Sequence, residues 1–307
     1  MADASQGAQS LLCMEPGAAA HTFDTSSEPY EFLYESLRRQ GRIIGGHGVR
    51  GTRSASMERT RAGAYSVVGR IAMHPSPATL DLLLPRILGG TESADTFPLA
   101  ETLPAFGVLI DRVNEQFEYT DCKVNRAMFR GRAASLTGND PEPIELVLEI
   151  VGKTEVTGTS YPALTLGTAA NYAPYVFEDA SSGLTLNAAT RDMLAFELMI
   201  DNHLHARFSN SLTATSITPR DRTVALQVLT PYTSDESNLY AQTNLGATGS
   251  LVFTNAGMST TFTFGTLQVP PRSPIVKGKT EIGLELLMTA RMSGATKELV
   301  ITHDSVA

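Results

Sequence analysis

The stretch 144-IELVLEIVG-152 alternates without a break, with Ile144, Leu146, Leu148 and Ile150 on one side and Glu145, Val147, Glu149 and Val151 on the other. Period two is the spacing of a strand with one face buried and one solvated, and a one-residue slip would turn its carboxylates into the core. A second stretch, 281-EIGLELLMTAR-291, alternates in the same way at Ile282, Leu284, Leu286 and Met288. Working outward from each gives the organisation of the chain.

Upstream of the first lie strand-like segments at 106-FGVLID-111, 116-QFEYTD-121 and 123-KVNRAMFRG-131. Further back, AYSVVGRIAM places Tyr65, Val67, Gly69, Ile71 and Met73 on one side. Between these strands, HPSPATLDLLLPRILGG reads as a short amphipathic helix. Ser76 can cap it, Pro77 suits its first turn, and Leu80, Leu83, Leu84, Ile87 and Leu88 form its apolar stripe. Pro85 is expected to kink it or end it early, and Gly89-Gly90 to stop it.

Around the second alternating stretch the plan recurs. TVALQVLTP alternates at Val224, Leu226 and Val228 and ends at Pro231, Thr233 and Glu236 are placed as a capping box before Leu239 and Tyr240, and SLVFTN and TTFTFGTLQV supply strands. Strand, proline, short helix, several strands and a long alternating strand thus occur twice, which reads as an internal duplication. The expected fold is mainly β, with two tandem β-sandwich or barrel domains, each with a short flanking helix. Its divisions are a flexible arm over 1–28, a first domain over 29–160, a connection over 161–180 and a second domain over 181–307. Ordered structure is expected to begin near Tyr30, where Phe32, Leu33 and Leu37 can line a helical face.

Composition narrows function. The 24 Lys+Arg against 32 Asp+Glu give a net charge of −8, which opposes sequence-independent attraction to phosphate backbones. Cys13 and Cys122 are the two cysteines, too few for a disulfide framework or a four-cysteine metal site. No run of about 18 apolar residues occurs, and the N-terminal residues lack the pattern of an export signal, so a soluble, non-exported protein is expected.

Motif-like stretches mostly dissolve against their surroundings. Gly46, Gly48 and Gly51 have the spacing of a dinucleotide fingerprint, but no buried strand leads in and no apolar helix leads out. GKT at 278–280 sits in a proline-bracketed segment that cannot build a phosphate loop. Asp201, His203 and His205 would share a face of one strand and could form part of a zinc site. Nearby spacing implies no third His or Cys ligand, so a polar strand face is the reading, and no metal, cofactor or catalytic residue is expected. What remains is a loop over 45–63 rich in glycine and arginine: seven arginines lie between Arg38 and Arg61, with Glu58 against them.

The runs YEFLYESL, GVRGTRSASMERTRAGAYSVVGRIAMHPSPATLDLLLPRILGG, FPLAETLPAFGVLIDR, FEYTDCKVNRAMF and LEIVGKTE resemble the major tail tube proteins of long, flexible-tailed (siphovirus-type) bacteriophages. So do FELMIDNHLHARFSNSLTATSITPRDRTVALQVLTPY, ESNLYA and IVKGKTEIGLELLMTAR. The resemblance runs from about Tyr30 onward and rests on many loose segments in order. It implies tail-tube-type β domains, closed into rings that stack as a hollow conduit for DNA ejection. The virion tail is then the location and the host cytoplasm the place of assembly.

Two domains per chain would close as a trimer with pseudo-sixfold symmetry, in preference to a hexamer. Arg50, Arg53, Arg59 and Arg61 would meet the adjacent ring. The implied partners are further copies, a tape-measure protein, a tail terminator and a tail tip. DNA would pass the lumen without specific binding, along inner strands where Asp and Glu outnumber Arg and Lys, and no membrane is involved. Another class stays open, a β-sandwich adhesion module, which would show an exposed aromatic or metal-ligand pocket. A hydrolase assembled from distant residues is the third.

Overall fold

The alternating stretches become strands of one antiparallel sheet. The computed structural model of the chain describes residues 7–17, 23–24, 27, 29–46, 48–49, 51–54, 56–133, 143–158, 161, 172–180, 183–233, 246–270, 273–276, 278 and 282–304. In chain order its first elements are β1 (Leu11–Pro16), β2 (Pro29–Tyr30), β3 (Tyr34–Glu35), β4 (Arg38–Ile44), β5 (Arg61–Met73), α1 (Pro77–Leu88), β6 (Thr96–Pro98), β7 (Phe106–Asp111), β8 (Gln116–Arg132), β9 (Glu145–Gly152) and β10 (Thr154–Thr157). After these come β11 (Leu184–Leu186), β12 (Ala189–Arg191), β13 (Ala195–Asp201), β14 (His205–Arg207), β15 (Ser216–Thr218), β16 (Thr223–Pro231), β17 (Gly246–Asn255), β18 (Met258–Gln268), β19 (Gly283–Arg291) and β20 (Leu299–Asp304).

A central ladder runs β4, β5, β9, β8, β13, β16, β19, with every neighbour antiparallel. Leu146, Leu148 and Ile150 of β9 and Leu284, Leu286 and Met288 of β19 are buried on its inner face, as their period predicts. β8 leaves this ladder partway along: its first half pairs with β7 and β10, its second with β9 and β13. Asp121, at φ 51°, and a register shift between Val124 and Arg126 mark the bend that re-aims the strand. β18 behaves alike, pairing with β17 and β20 before it reaches β19 over Thr266–Gln268.

The pairings therefore recur in one order. β1 lies beside β7 as β11 lies beside β17, β10 beside β8 as β20 beside β18, and β4 beside β5 as β13 beside β16. Both sets share a single apolar core that extends from Leu12 to Ile301, because β8 and β13 pair over seven residues and carry the sheet through. Rings from the two sets meet inside it, Phe129 of β8 with Phe262 of β18 at 5.4 Å between centroids.

Among the described residues α1 is the one α-helix, and it follows its sequence signals. The Ser76 hydroxyl accepts the Thr79 N–H at 3.2 Å, five apolar side chains are buried, and Gly89 turns left-handed at φ 84° to donate to the Pro85 carbonyl at 2.9 Å. Pro85 does not end the helix early. It removes one backbone donor near the last turn, while burial of Leu84, Ile87 and Leu88 holds that turn in place. The capping box proposed from Thr233 and Glu236 lies outside the described residues beyond Thr233.

Two expectations fail near the N-terminus. Residues 11–16 are not part of a flexible arm: β1 pairs with β7 from Leu11 opposite Asp111 to Pro16 opposite Phe106, with Leu12 and Cys13 fully buried. The buried Arg86 guanidinium fastens this strand to α1 by donating to the Met14 carbonyl at 3.2 Å and the Tyr30 hydroxyl at 3.1 Å. Phe32, Leu33 and Leu37 do not form a helical face either. That stretch is extended, because Gly69 lets it pack closely on β5; a Cβ there would come within 2.6 Å of the Leu37 backbone.

His303 is buried where β20, β18 and α1 meet. Its Nε2 donates to the Pro77 carbonyl at 2.9 Å, and its Nδ1 lies 2.8 Å from the Thr260 hydroxyl. Burial, the largest influence, lowers its pKa below the usual 6.5. The unfolded chain therefore binds more protons, and stability falls as pH drops from 6.5 toward the folded pKa. The thermal midpoint of His303→Asn is expected to depend less on pH between 7 and 5 than that of the wild type.

Candidate assembly surfaces

The face of the central ladder turned away from the core carries charge in matched pairs. Arg126 donates from Nε and Nη2 to Asp201 Oδ2 at 2.8 and 2.6 Å, and its Nη1 lies 3.8 Å from Glu149, which also pairs with Arg70. Arg130 holds Glu145 at 2.8 to 3.0 Å. Alternation puts these groups side by side, since Arg126 and Arg130 sit two positions from Met128 on β8, opposite Glu149 and Glu145 of β9. The more exposed of these pairs, Arg70–Glu149 and Arg130–Glu145, contribute about 0 to 1 kcal/mol each, so their consequence is electrostatic. The face is charge-compensated.

Beyond β9 the β4–β5 pair projects as a two-stranded ribbon. β9 covers β5 only from Val67 to Met73, whereas β4 follows β5 as far as Ile44 opposite Arg61. Every residue of β4 is exposed, Ile43 at 82% and Ile44 at 59%. A third segment touches it at Tyr65, whose N–H donates to the Leu212 carbonyl at 2.8 Å, and the two isoleucines leave apolar area open to contact. Val49 and Met57 add exposed apolar area on the connecting loop.

The structure narrows that loop to residues 45–60, since Arg61, Ala62 and Gly63 already belong to β5. Arg53 and Arg59 lie on the loop, Arg61 on the ribbon, and Arg50 lies outside the described residues. Arg59 folds back over Gly46 and Gly48, where a Cβ at Gly46 would meet its guanidinium at 2.8 Å. The glycines thus make room for an arginine, not for a phosphate. At the base of the ribbon, Arg39 stacks 3.7 Å above the Tyr65 ring. A groove of about 550 Å³ separates the ribbon from Phe208.

Asp201, His203 and His205 do not share a strand face. β13 ends at Asp201, and His203 turns at φ 43° with its N–H donated to Asp201 Oδ1 at 2.9 Å. Arg126 already occupies the other carboxylate oxygen, because this corner closes the β8–β13 junction. No group of three or more His, Cys, Asp or Glu side chains suited to a metal is found among the described residues. Both thiols are buried, and burial pushes that of Cys13 up to about 12.

A separate cluster, which sequence reasoning passed over, closes the outer edge of β3 and β4. Arg112 is forked onto Glu35 at 2.9 and 3.1 Å and also donates to the Leu37 carbonyl at 2.9 Å, which accepts the Tyr119 hydroxyl at 3.0 Å. The Leu37 N–H goes to Glu35 at 2.9 Å and the Arg39 N–H to Glu155 at 3.2 Å. Residues so far apart in sequence gave no local signal of this meeting.

Comparison with known proteins gives two findings. No curated protein matches the chain. A protein-family model described as phage tail tube protein matches residues 11–290.

Proposed function

The chain belongs to the phage tail tube protein family, and from that premise we propose how its copies build the tube. It is a structural component of the virion tail, not an enzyme, and its family implies assembly of copies into a tube. Our reading is a long, flexible tail of the siphovirus type. Each chain supplies two repeated units, about 29–160 and 181–307, joined through 161–180, with β1 completing the first. Three chains then close a ring of pseudo-sixfold symmetry.

One observation carries this reading: the strand order around β5 and β9 returns around β16 and β19, and β8 joins β13 in an unbroken sheet. A chain that already contains one unit-to-unit junction needs only to repeat it to go around an axis. The charge-paired face of the ladder is assigned to the lumen, where compensated arginines would give DNA little to hold by counterion release. The ribbon and its loop, with Arg50, Arg53, Arg59 and Arg61, reach to the next ring. A tape-measure protein inside, a terminator above and a tip below complete the set of partners.

Negative-stain microscopy of the concentrated protein, with mass measurement of isolated rings, tests this. Stacked rings of three chains are expected. Six chains per ring would reject the trimer, and a protein that stays a single compact particle would reject the tube arrangement altogether.

A further inference from the structure

The two sets of strands carry different structures in the same place. In the first, β4 passes to β5 through the ribbon and its loop; in the second, β13 passes to β16 through residues 202–222, which fold as the β14–β15 hairpin. Directions alternate along the ladder from β4 through β5, β9 and β8 to β13, so β4 and β13 run the same way and both connections leave the sheet at the same end. The first projects, whereas the second is tied down. Ala214 and Ile217 are buried, and Lys123 Nζ of β8 donates to the Ile217 carbonyl at 2.9 Å.

A bulge in β8 aims the hairpin. The register shift between Val124 and Arg126 leaves Asn125 out of the ladder, and its two oxygens hold the start of the connection: the carbonyl accepts the Asn202 N–H at 2.8 Å and the side-chain oxygen the Leu204 N–H at 2.8 Å. From there the hairpin reaches the ribbon. β9 ends at Gly152 opposite Val67, and just beyond it the Leu212 carbonyl accepts the Tyr65 N–H at 2.8 Å, with Thr213 bridged in parallel to Tyr65. The hairpin thus continues the cover of β5 where β9 stops. Two strands alone are marginally stable, and a third segment at their base limits how the pair can swing.

Resting on the reading of the ribbon as the arm that reaches the next ring, we propose that the β14–β15 hairpin is the strut of that arm. The second set of strands carries no arm of its own at this position and instead fixes the direction of the first set's arm. Asn125 is a positioning residue that acts through the hairpin. A ring of three chains then presents three braced arms in place of six, and successive rings engage by threefold contact although the wall of each repeats six times.

Three variants test this. Replacing residues 209–213 by Gly-Gly removes the Leu212 carbonyl while leaving β14 paired with β15, Asn125→Ala takes away the acceptor at the root of the hairpin, and Asn125→Asp keeps it. Hydrogen exchange of the dilute chain is read first. Amides of the distal ribbon, 41–44 and 61–64, are expected to exchange at least about tenfold faster in the shortened chain, faster also in Asn125→Ala, and near the wild-type rate in Asn125→Asp, with β9 and β16 unchanged in all three. Tube length by microscopy is read second, and the shortened chain is expected to give intact rings in shorter stacks. Unchanged ribbon exchange in the shortened chain would overturn the strut, and wild-type exchange in Asn125→Ala would overturn the part of the bulge. The exchange reading needs no assembly, so it stands apart from the tube arrangement. Faster exchange with tubes of normal length would instead overturn the ribbon's part in stacking, and the threefold contact with it.

Discussion

Deleting residues 47–58 is expected to leave a folded protein that closes rings but does not stack them into long tubes. The cut joins Gly46 to Arg59, so Gly45, Gly46, Arg59 and Thr60 would connect β4 to β5 as an ordinary hairpin loop, with the ladder from Arg38 to Ile44 intact. It removes Arg50, Arg53 and two exposed apolar groups, Val49 and Met57, and among the described residues none of the core. An interface built from apolar anchors and arginine loses its centre when both are taken together. Tube length by microscopy is the measurement, beside a thermal midpoint that should shift by no more than a few degrees. Tubes of normal length from the shortened chain would reject the assignment of this loop to ring stacking.

The largest loss of stability is expected from Phe253→Ala, at about 3 to 5 kcal/mol. Phe253 on β17 meets the rings of Tyr175 at 6.0 Å, Phe196 at 5.4 Å and Phe262 at 6.2 Å between centroids. Phe262 in turn meets Phe129 of β8, so truncation opens a cavity where both sets of strands contribute. Because one large cluster spans both sets of strands, denaturant should unfold wild type and variant each in a single transition, with the variant's midpoint lower and its slope unchanged. Two separated transitions, or a loss confined to one of them, would show that the two sets of strands fold as independent domains.

Much of the fold was legible because its signals are local. The alternation of Ile144 to Val151 specifies a half-buried strand, and Ser76, Pro77 and Gly89 specify a helix with both ends fixed. The misreadings came where neighbours in space overrule neighbours in sequence. Leu11–Pro16 looked like an arm because six residues cannot show what they pair with, and β7 stands far along the chain. Phe32, Leu33 and Leu37 have helical spacing, but a glycine at position 69 and a carbonyl claimed by Arg112 and Tyr119 make the extended form better satisfied. Asp201 and the two histidines alternate on paper, although the strand ends at the first of them because Arg126 and a backbone N–H close the corner there.

The family was visible in the order of loosely conforming segments, and the arginine-rich loop stood out by composition alone. By itself the sequence determined that the chain is mainly β and where its helix and long alternating strands lie, since periodicity and turn chemistry are carried by adjacent residues. Only the tertiary structure decided that the repeated strands form one sheet over one core, that residues 11–16 belong to it, and which edges are covered and by what. Pairing partners and edge-capping side chains come from positions many tens of residues apart, and no local pattern encodes which of them meet.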